Sequence, residues 1–372
     1  MHIVLFCQSL MSDWSHGNAH FLRGVVTELM SRGNEVTVYE PVDELSGSQL
    51  RTPEGANAEE RFQQAFPTLT PIAFDLNLLS LEAALPDTDL IIVHESIEPR
   101  VVARIGRHKA AHGRYVLLFH DTHHRALTTK NDIECYDLRH FDGVLAFGEI
   151  IRERYLQRGW SRQAWTWHEA ADIRVFQPLQ ESGEVRDVVW VGNWGDEARS
   201  AEISNFFVEP VRELRLTATA YGARYPDPAR RALRSAGIDY KGRLPNYDVP
   251  LAYASHRFTV DIPSRSHVSE LPGVPTMRLF EALACGIPLV SLDWRDVEGL
   301  FTPGLDFLVA RTPREMRDMC VALAADDTLR KSLARHGLET IRRRHTCAHR
   351  VDELLSIFHQ LRGGPRAEVM TV

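Results

Sequence analysis

The chain of 372 residues carries 43 Lys and Arg against 50 Asp and Glu, a formal net charge of −7, with 44% hydrophobic and 25% charged residues. This composition excludes a disordered chain and a disulfide-stapled miniature, and it lacks the clustered cationic surface that sequence-independent nucleic-acid binding needs to displace counterions. The length exceeds what one hydrophobic core organises, so two domains are expected.

Strand and helix signals then alternate along the chain. His2 to Cys7 reads as a strand, and Phe21, Leu22, Val25, Val26 and Leu29 give helical spacing that Gly33 closes. Glu35 to Tyr39 is the second strand, and the polar, weakly periodic stretch Val42 to Pro71 reads as an insertion or mobile loop. Short apolar runs at Leu90 to Val93, Tyr115 to Phe119, Gly143 to Phe147 and Gln163 to Trp167 are of the kind buried in a parallel sheet. Between the first two, Arg104, Arg107, Lys109 and Arg114 make a basic stretch with interspersed histidines. It reads as a solvated helix face, with contact to an anionic acceptor or a membrane surface as the alternative.

A linker from Pro178 to Arg186 opens a second set of strands at Asp187 to Val191, Leu216 to Ala220, Phe258 to Ile262 and Ile287 to Leu292. From Pro313 onward the pattern is helical, with Val351, Leu354, Leu355 and Phe358 on one face, and Gly363 to Val372 is an expected frayed tail. The expectation is an α/β protein of two doubly wound, Rossmann-like domains, 1–178 and 186–345, with the helix at about 350–372 joining the first. Cys7, Cys135, Cys285, Cys320 and Cys347 show no paired metal-ligand spacing, there is no basic leader, and no apolar run spans a bilayer; a cytoplasmic protein with reduced thiols is expected.

In open α/β sheets ligands sit beyond the carboxyl ends of the strands. Gln8 to Asn18, containing Gly17, offers free amides for an anion before the first helix, without the G-x-G-x-x-G spacing of a dinucleotide binder. After Phe119 come His120, Asp121, Thr122, His123 and His124, a cluster that packing does not explain. A histidine there can exchange a proton near neutral pH, and Asp121 could fix its tautomer; adjacent histidines in a loop converge poorly, so no metal site is expected. His168, Glu169 and Asp172 form a second polar cluster, which reads equally as an interdomain turn.

Gly192, Asn193 and Gly195 precede a helical segment with Arg199, as a phosphate binder requires, and Gly242, Arg243 and Leu244 form a similar turn. The most informative segment runs from Leu271 to Val290. Pro275 and Thr276 start a helix and Gly286 stops it, while Met277, Leu279, Phe280, Ala282, Leu283 and Ala284 leave one polar wedge holding Arg278 and Glu281. A buried pair of this kind serves either structure or a ligand. With Gly192 and Arg243 it describes a nucleotide pocket: backbone for the base, Glu281 for ribose hydroxyls, arginines and helix amides for the diphosphate.

These motifs together resemble a GT-B glycosyltransferase of the group-1 type, in its CgeB-like branch. The similarity runs through Arg32 to Val38, Phe119 to Asp121, Phe141 to Gly148, Ala171 to Pro178 and, most specifically, Phe280 to Val290. It implies two Rossmann-like domains facing a cleft and transfer of a sugar from a nucleotide-sugar donor, expected to be a UDP sugar, with retention and without an obligatory metal or other cofactor. It implies that Glu281 holds the ribose, Gly242, Arg243 and Leu244 line the base, and Thr276 and Met277 meet the diphosphate. Asn193, Arg199 and Arg278 add donor contacts, Gly17 approaches the phosphates, and His120 with Asp121 lies close to the donor sugar. The family's additional glutamate, eight residues before Glu281, is replaced by Gly273, with Glu270 out of register. The alternatives are a sugar-nucleotide epimerase using Glu95 or Glu169, and a non-catalytic nucleotide-sugar binder. Glu281→Ala is expected to weaken donor binding with the fold intact.

Overall fold

The structure is a computed structural model that describes residues 1–8, 10, 17–42, 58–122, 135–180, 185–195 and 197–363. His123, His124 and most of the Gln8 to Asn18 loop, all raised by the sequence, lie outside the described residues. The chain divides into two units, Met1–Glu169 with the segment from Cys347 onward, and Ala170–Thr346.

The first unit runs β1 (His2–Phe6), α1 (Gly17–Ser31), β2 (Glu35–Pro41), α2 (Ala58–Ala65), β3 (Ile72–Phe74), α3 (Leu81–Ala84), β4 (Leu90–His94), α4 (Pro99–His112), β5 (Val116–Asp121), β6 (Gly143–Ala146), α5 (Glu149–Gln157) and β7 (Ala164–Thr166). All neighbours in its sheet are parallel, in the order β3-β2-β1-β4-β5-β6-β7. β4 and β5 are buried at every position, which is why their sequences are nearly continuous apolar runs.

The second unit runs β8 (Arg186–Val191), α6 (Glu197–Ile203), a π-helical turn (Ser204–Val208), α7 (Glu209–Leu214), β9 (Ala218–Tyr221), α8 (Asp227–Ser235), β10 (Ile238–Tyr240), a 3-10 turn (Asn246–Asp248), α9 (Val249–Ala254), β11 (His256–Asp261), α10 (Arg265–Glu270), α11 (Met277–Ala284), β12 (Leu289–Leu292), β13 (Leu308–Ala310), α12 (Pro313–Ala325) and α13 (Asp327–Arg344). Its parallel sheet, β10-β9-β8-β11-β12-β13, repeats the strand order of the first. Its core gathers Trp190, Phe207, Phe258 and Leu323.

The chain then returns to the first unit through α14 (Cys347–Leu361), which packs on α1. Arg32 Nη1 meets Asp352 at 2.5 Å, and Trp167 Nε1 donates to the Arg350 carbonyl at 2.8 Å. Among the described residues no helix is long and apolar enough to cross a membrane.

Three strands escape the sequence reading, β3, β10 and β13, each of three residues at or near a sheet edge and too short to show a period. The stretch read as an insertion contains α2, whose Phe62 is fully buried and lies with Phe66 beneath the Arg23 guanidinium. β5 extends past Phe119, so His120 and Asp121 are strand residues and not the start of a loop.

Candidate functional site

In both sheets the strand order reverses between the first and fourth strands of the unit, β1/β4 and β8/β11, which places the crevice of an open α/β sheet beyond those carboxyl ends. The second unit carries the larger share of the residues singled out by sequence. After β8, the Gly192 amide donates to the Tyr221 carbonyl at 2.9 Å and its own carbonyl accepts from Tyr225 Oη at 3.0 Å. Gly222 donates to the Gly242 carbonyl at 2.8 Å, and Tyr240 Oη donates back to the Gly222 carbonyl at 2.9 Å. Gly222 sits at φ +151°, and a Cβ there would lie 1.9 Å from the Gly192 carbonyl oxygen, so only glycine lets the two loops touch. Tyr225 and Tyr240 stack beneath with centroids 4.3 Å apart. The Gly192 and Gly242 turns are thus one assembly.

Within it Asn193 is exposed, but its Oδ1 accepts from the Ala223 amide at 2.9 Å, so the side chain also braces the loop. Arg199 reaches Glu202 at 3.3 Å and lies against Gly195. Arg243 is exposed and Leu244 half-buried.

Asn246, two residues beyond Leu244, closes the circuit: its Nδ2 donates to Glu281 Oε1 at 2.7 Å. Glu281 is fully buried, and its other oxygen accepts from Arg278 Nη1. Seven of the eight residues of α11 are buried, leaving Arg278 as the helix's half-open member.

At the amino end of α11, Thr276 does not cap the helix with its side chain; its hydroxyl donates to Asp261 Oδ2 at 2.8 Å. Asp261, the last residue of β11, is buried, and that burial raises its carboxyl above the ordinary range while Thr276, Arg199, His267 and Arg278 pull the other way. Burial likewise holds the His267 imidazole below its usual value and pushes the Tyr253 phenol far up. Asn246, Tyr253, Asp261 and His267 escaped the sequence reading. A charged residue closing an apolar strand was the available signal for Asp261. Gly273 sits at φ +92°, where a Cβ would come 2.5 Å from Val297 Cγ2, so a glutamate there would be strained. Beside α10, Pro263, Val268, Leu292, Arg295 and Arg311 line a cavity of about 520 Å³.

In the first unit, His94 and His120 are register partners on β4 and β5, with ring centroids 5.2 Å apart. His120 is fully buried, between His94, Phe21 and Trp167. Asp121 does not orient it: consecutive strand residues point to opposite faces, and Asp121 Oδ2 accepts from Tyr155 Oη at 2.8 Å. His94 Nε2 meets Thr122 Oγ1 at 2.9 Å, and Thr122 in turn donates to Glu95 Oε1 at 3.3 Å. Gly17 opens α1. Among the described residues no group of three or more His, Cys, Asp or Glu is arranged to hold a metal ion.

Comparison with known proteins adds the following. Residues 199–356 match the family model described as Glycosyl transferase-like. The chain superposes on sucrose-phosphate synthase from Thermosynechococcus elongatus with TM-score 0.64 at 12% identity, covering 98% of this chain and 99% of that one. The fold is GT-B. The Anabaena protein HepE in complex with UDP gives TM-score 0.66 at 12% identity over 97% and 100% of the two chains. A Listeria monocytogenes protein described as a UDP-N-acetylglucosamine 2-epimerase gives 0.61 at 13% over 100% and 99%. No curated protein matches the chain by sequence. The segment that matches the family model contains Arg199, the Gly242 turn, Asp261 and the whole of α11, and so most of the candidate residues described above.

Proposed function

We propose that the protein is a glycosyltransferase that takes its sugar from a nucleoside diphosphate donor, with UDP the expected nucleotide, and passes it to an acceptor hydroxyl or amine. The observation that carries this reading is the buried Glu281, held by Arg278 and Asn246 inside the glycosyl transferase-like segment. Both partners donate to the carboxylate and fix its orientation, and a carboxylate is the acceptor that vicinal ribose hydroxyls require. Arg199, Arg278 and the amides of Thr276 and Met277 supply positive potential for a diphosphate, and they stabilise it most as the glycosidic bond breaks and charge collects on the leaving oxygens. The reading includes metal-independent transfer, retention of the anomeric configuration, a cytoplasmic location and the CgeB-like branch. His120 is the proposed proton-exchanging residue of the first unit.

Support comes also from HepE, whose structure contains UDP. The test is a thermal-shift panel of UDP, GDP, ADP, dTDP and their sugar conjugates, with and without Mg²⁺. The expected result is a selective rise with UDP and its conjugates that does not need Mg²⁺; binding at 100 times Kd stabilises by about 2.7 kcal/mol. No response to any nucleotide would sink the proposal.

A second reading has its own observations: Glu95 and Glu169 are buried near the carboxyl end of the first sheet, and the Listeria neighbour is described as an epimerase. Conversion of a UDP sugar in the absence of any acceptor would favour it.

A further inference from the structure

The basic stretch of α4 lines a groove that contains none of the residues assigned above. Arg104, Arg107, His108 and His112 line it from α4, and Leu81 and Glu82 from α3, around about 270 Å³. Arg104 is fixed in place: Nη1 donates to the Leu76 carbonyl at 3.0 Å and Nη2 to the Leu79 carbonyl at 2.6 Å. Arg107 is exposed, and its side chain has no hydrogen bond or ion pair among the described residues. His108 and His112, one turn apart, bring their rings to 5.2 Å. His108 Nδ1 meets Tyr115 Oη at 2.9 Å, which leaves Nε2 for the groove.

We propose that this groove binds a phosphate group and does so more tightly as the pH falls. With neutral imidazoles the two arginines and Glu82 leave a single positive charge; protonating both histidines makes it three. The flanking guanidinium groups repel a metal ion and favour an oxyanion, which two arginines and two imidazolium N–H donors can surround. The charged and titratable groups facing the pair are Glu82 from α3, Tyr115 before β5, Arg104 and Arg107 on α4 itself, and, behind Tyr115, Lys109 bound to Asp142 at 2.9 Å. Burial first, then the charge of His112, lowers the His108 pKa, with Glu82 opposing. An empty groove therefore resists the second proton, and a dianion relieves that cost.

Sulfate is the probe, because its charge does not change across the relevant range. It would be titrated calorimetrically into the full chain at about pH 6 and about pH 8, either side of the ordinary histidine value, at matched ionic strength set with chloride. Affinity is expected to fall by about tenfold at the higher pH, the worth of one charge-assisted hydrogen bond. His108→Gln with His112→Gln is expected to remove the pH dependence. Arg107→Gln, at an exposed position that does not threaten folding, is expected to weaken binding at both values. Equal sulfate affinity at the two pH values, or affinity untouched by Arg107→Gln, would overturn the inference. Sedimentation with phosphatidylcholine vesicles, with and without phosphatidic acid, separates the sources. Binding to the acidic vesicles that Arg107→Gln reduces identifies a lipid headgroup, and sulfate binding without vesicle binding identifies a soluble phosphate.

Discussion

Replacing Glu281 tests the candidate site and its supporting structure separately. Its carboxylate is fully buried and accepts from Arg278 and Asn246. Glu281→Ala therefore removes a binding group and also leaves a guanidinium without its counter-charge, a change that costs about 3–5 kcal/mol when such a pair is broken from one side. Against a whole-domain stability of about 5–15 kcal/mol, that is a substantial part of the total. The expectation from sequence, that this variant keeps its fold, is revised by the burial.

Glu281→Gln separates the two effects. An amide keeps the shape and can still accept from Arg278, and Asn246 can turn its own oxygen toward the new NH₂, so the stability loss should stay within about 1–3 kcal/mol. The charge, however, is gone, and each ribose hydroxyl loses a charge-assisted bond, weakening UDP by about tenfold per hydroxyl. Urea unfolding followed by the fluorescence of buried tryptophans such as Trp190 and Trp194, paired with calorimetric titration of UDP, reads both quantities. Wild-type affinity in Glu281→Gln would refute the ribose assignment, and an unchanged urea midpoint in Glu281→Ala would refute the buried-pair argument.

Other consequences follow from the same geometry. Asp261 is held above its ordinary pKa by burial, so its contribution to stability is complete below the unfolded value, about 3.9, and declines as the pH rises through the folded one. Asp261→Asn, whose Oδ1 can still accept from Thr276, should raise the melting temperature at neutral pH and converge with wild type near pH 3; parallel curves at all pH values would contradict this. His256 and His267 are held neutral by burial, so their contribution is present above about pH 6.5 and is lost as the pH falls through their depressed values. The pH dependence of unfolding should therefore flatten on that acid limb in His256→Gln with His267→Gln. Gly222→Ala should destabilise the second unit and loosen the paired turns, because the new Cβ would lie 1.9 Å from the Gly192 oxygen; a melting temperature equal to wild type would show that the turns are not in contact. Tyr155→Phe removes the Tyr155 hydrogen bond to buried Asp121 and should cost about 1–3 kcal/mol in chemical denaturation.

Much of the fold is legible in the chain because its signals are local. Continuous apolar runs such as Ile91 to Val93 and Leu117 to Phe119, short and rich in β-branched and aromatic residues, read as buried strands, and their alternation with helical spacing implies a parallel sheet. The Arg278 and Glu281 contact is equally local, since residues three apart on a helix are neighbours whatever surrounds them. The site's other partners are remote in sequence. Asn246 is 35 positions from Glu281, Thr276 is 15 from Asp261, and Tyr155 is 34 from Asp121. No periodicity relates such residues; they meet because parallel strands, each returned by a helix, bring their carboxyl ends side by side.

The same distinction accounts for His120 and Asp121. Their adjacency in sequence suggested a shared task, but strand geometry turns consecutive side chains to opposite faces, giving one a cage of rings and the other a tyrosine hydroxyl. The amino-acid sequence by itself determined the class of fold, the course of the long strands and the polar pair on α11, because backbone periodicity and burial act over a few residues. Only the tertiary structure decided which carboxylates meet a cationic or amide partner, which are pushed above their ordinary pKa by burial, and where glycine is obligatory, because those depend on what the rest of the chain brings within a few ångströms.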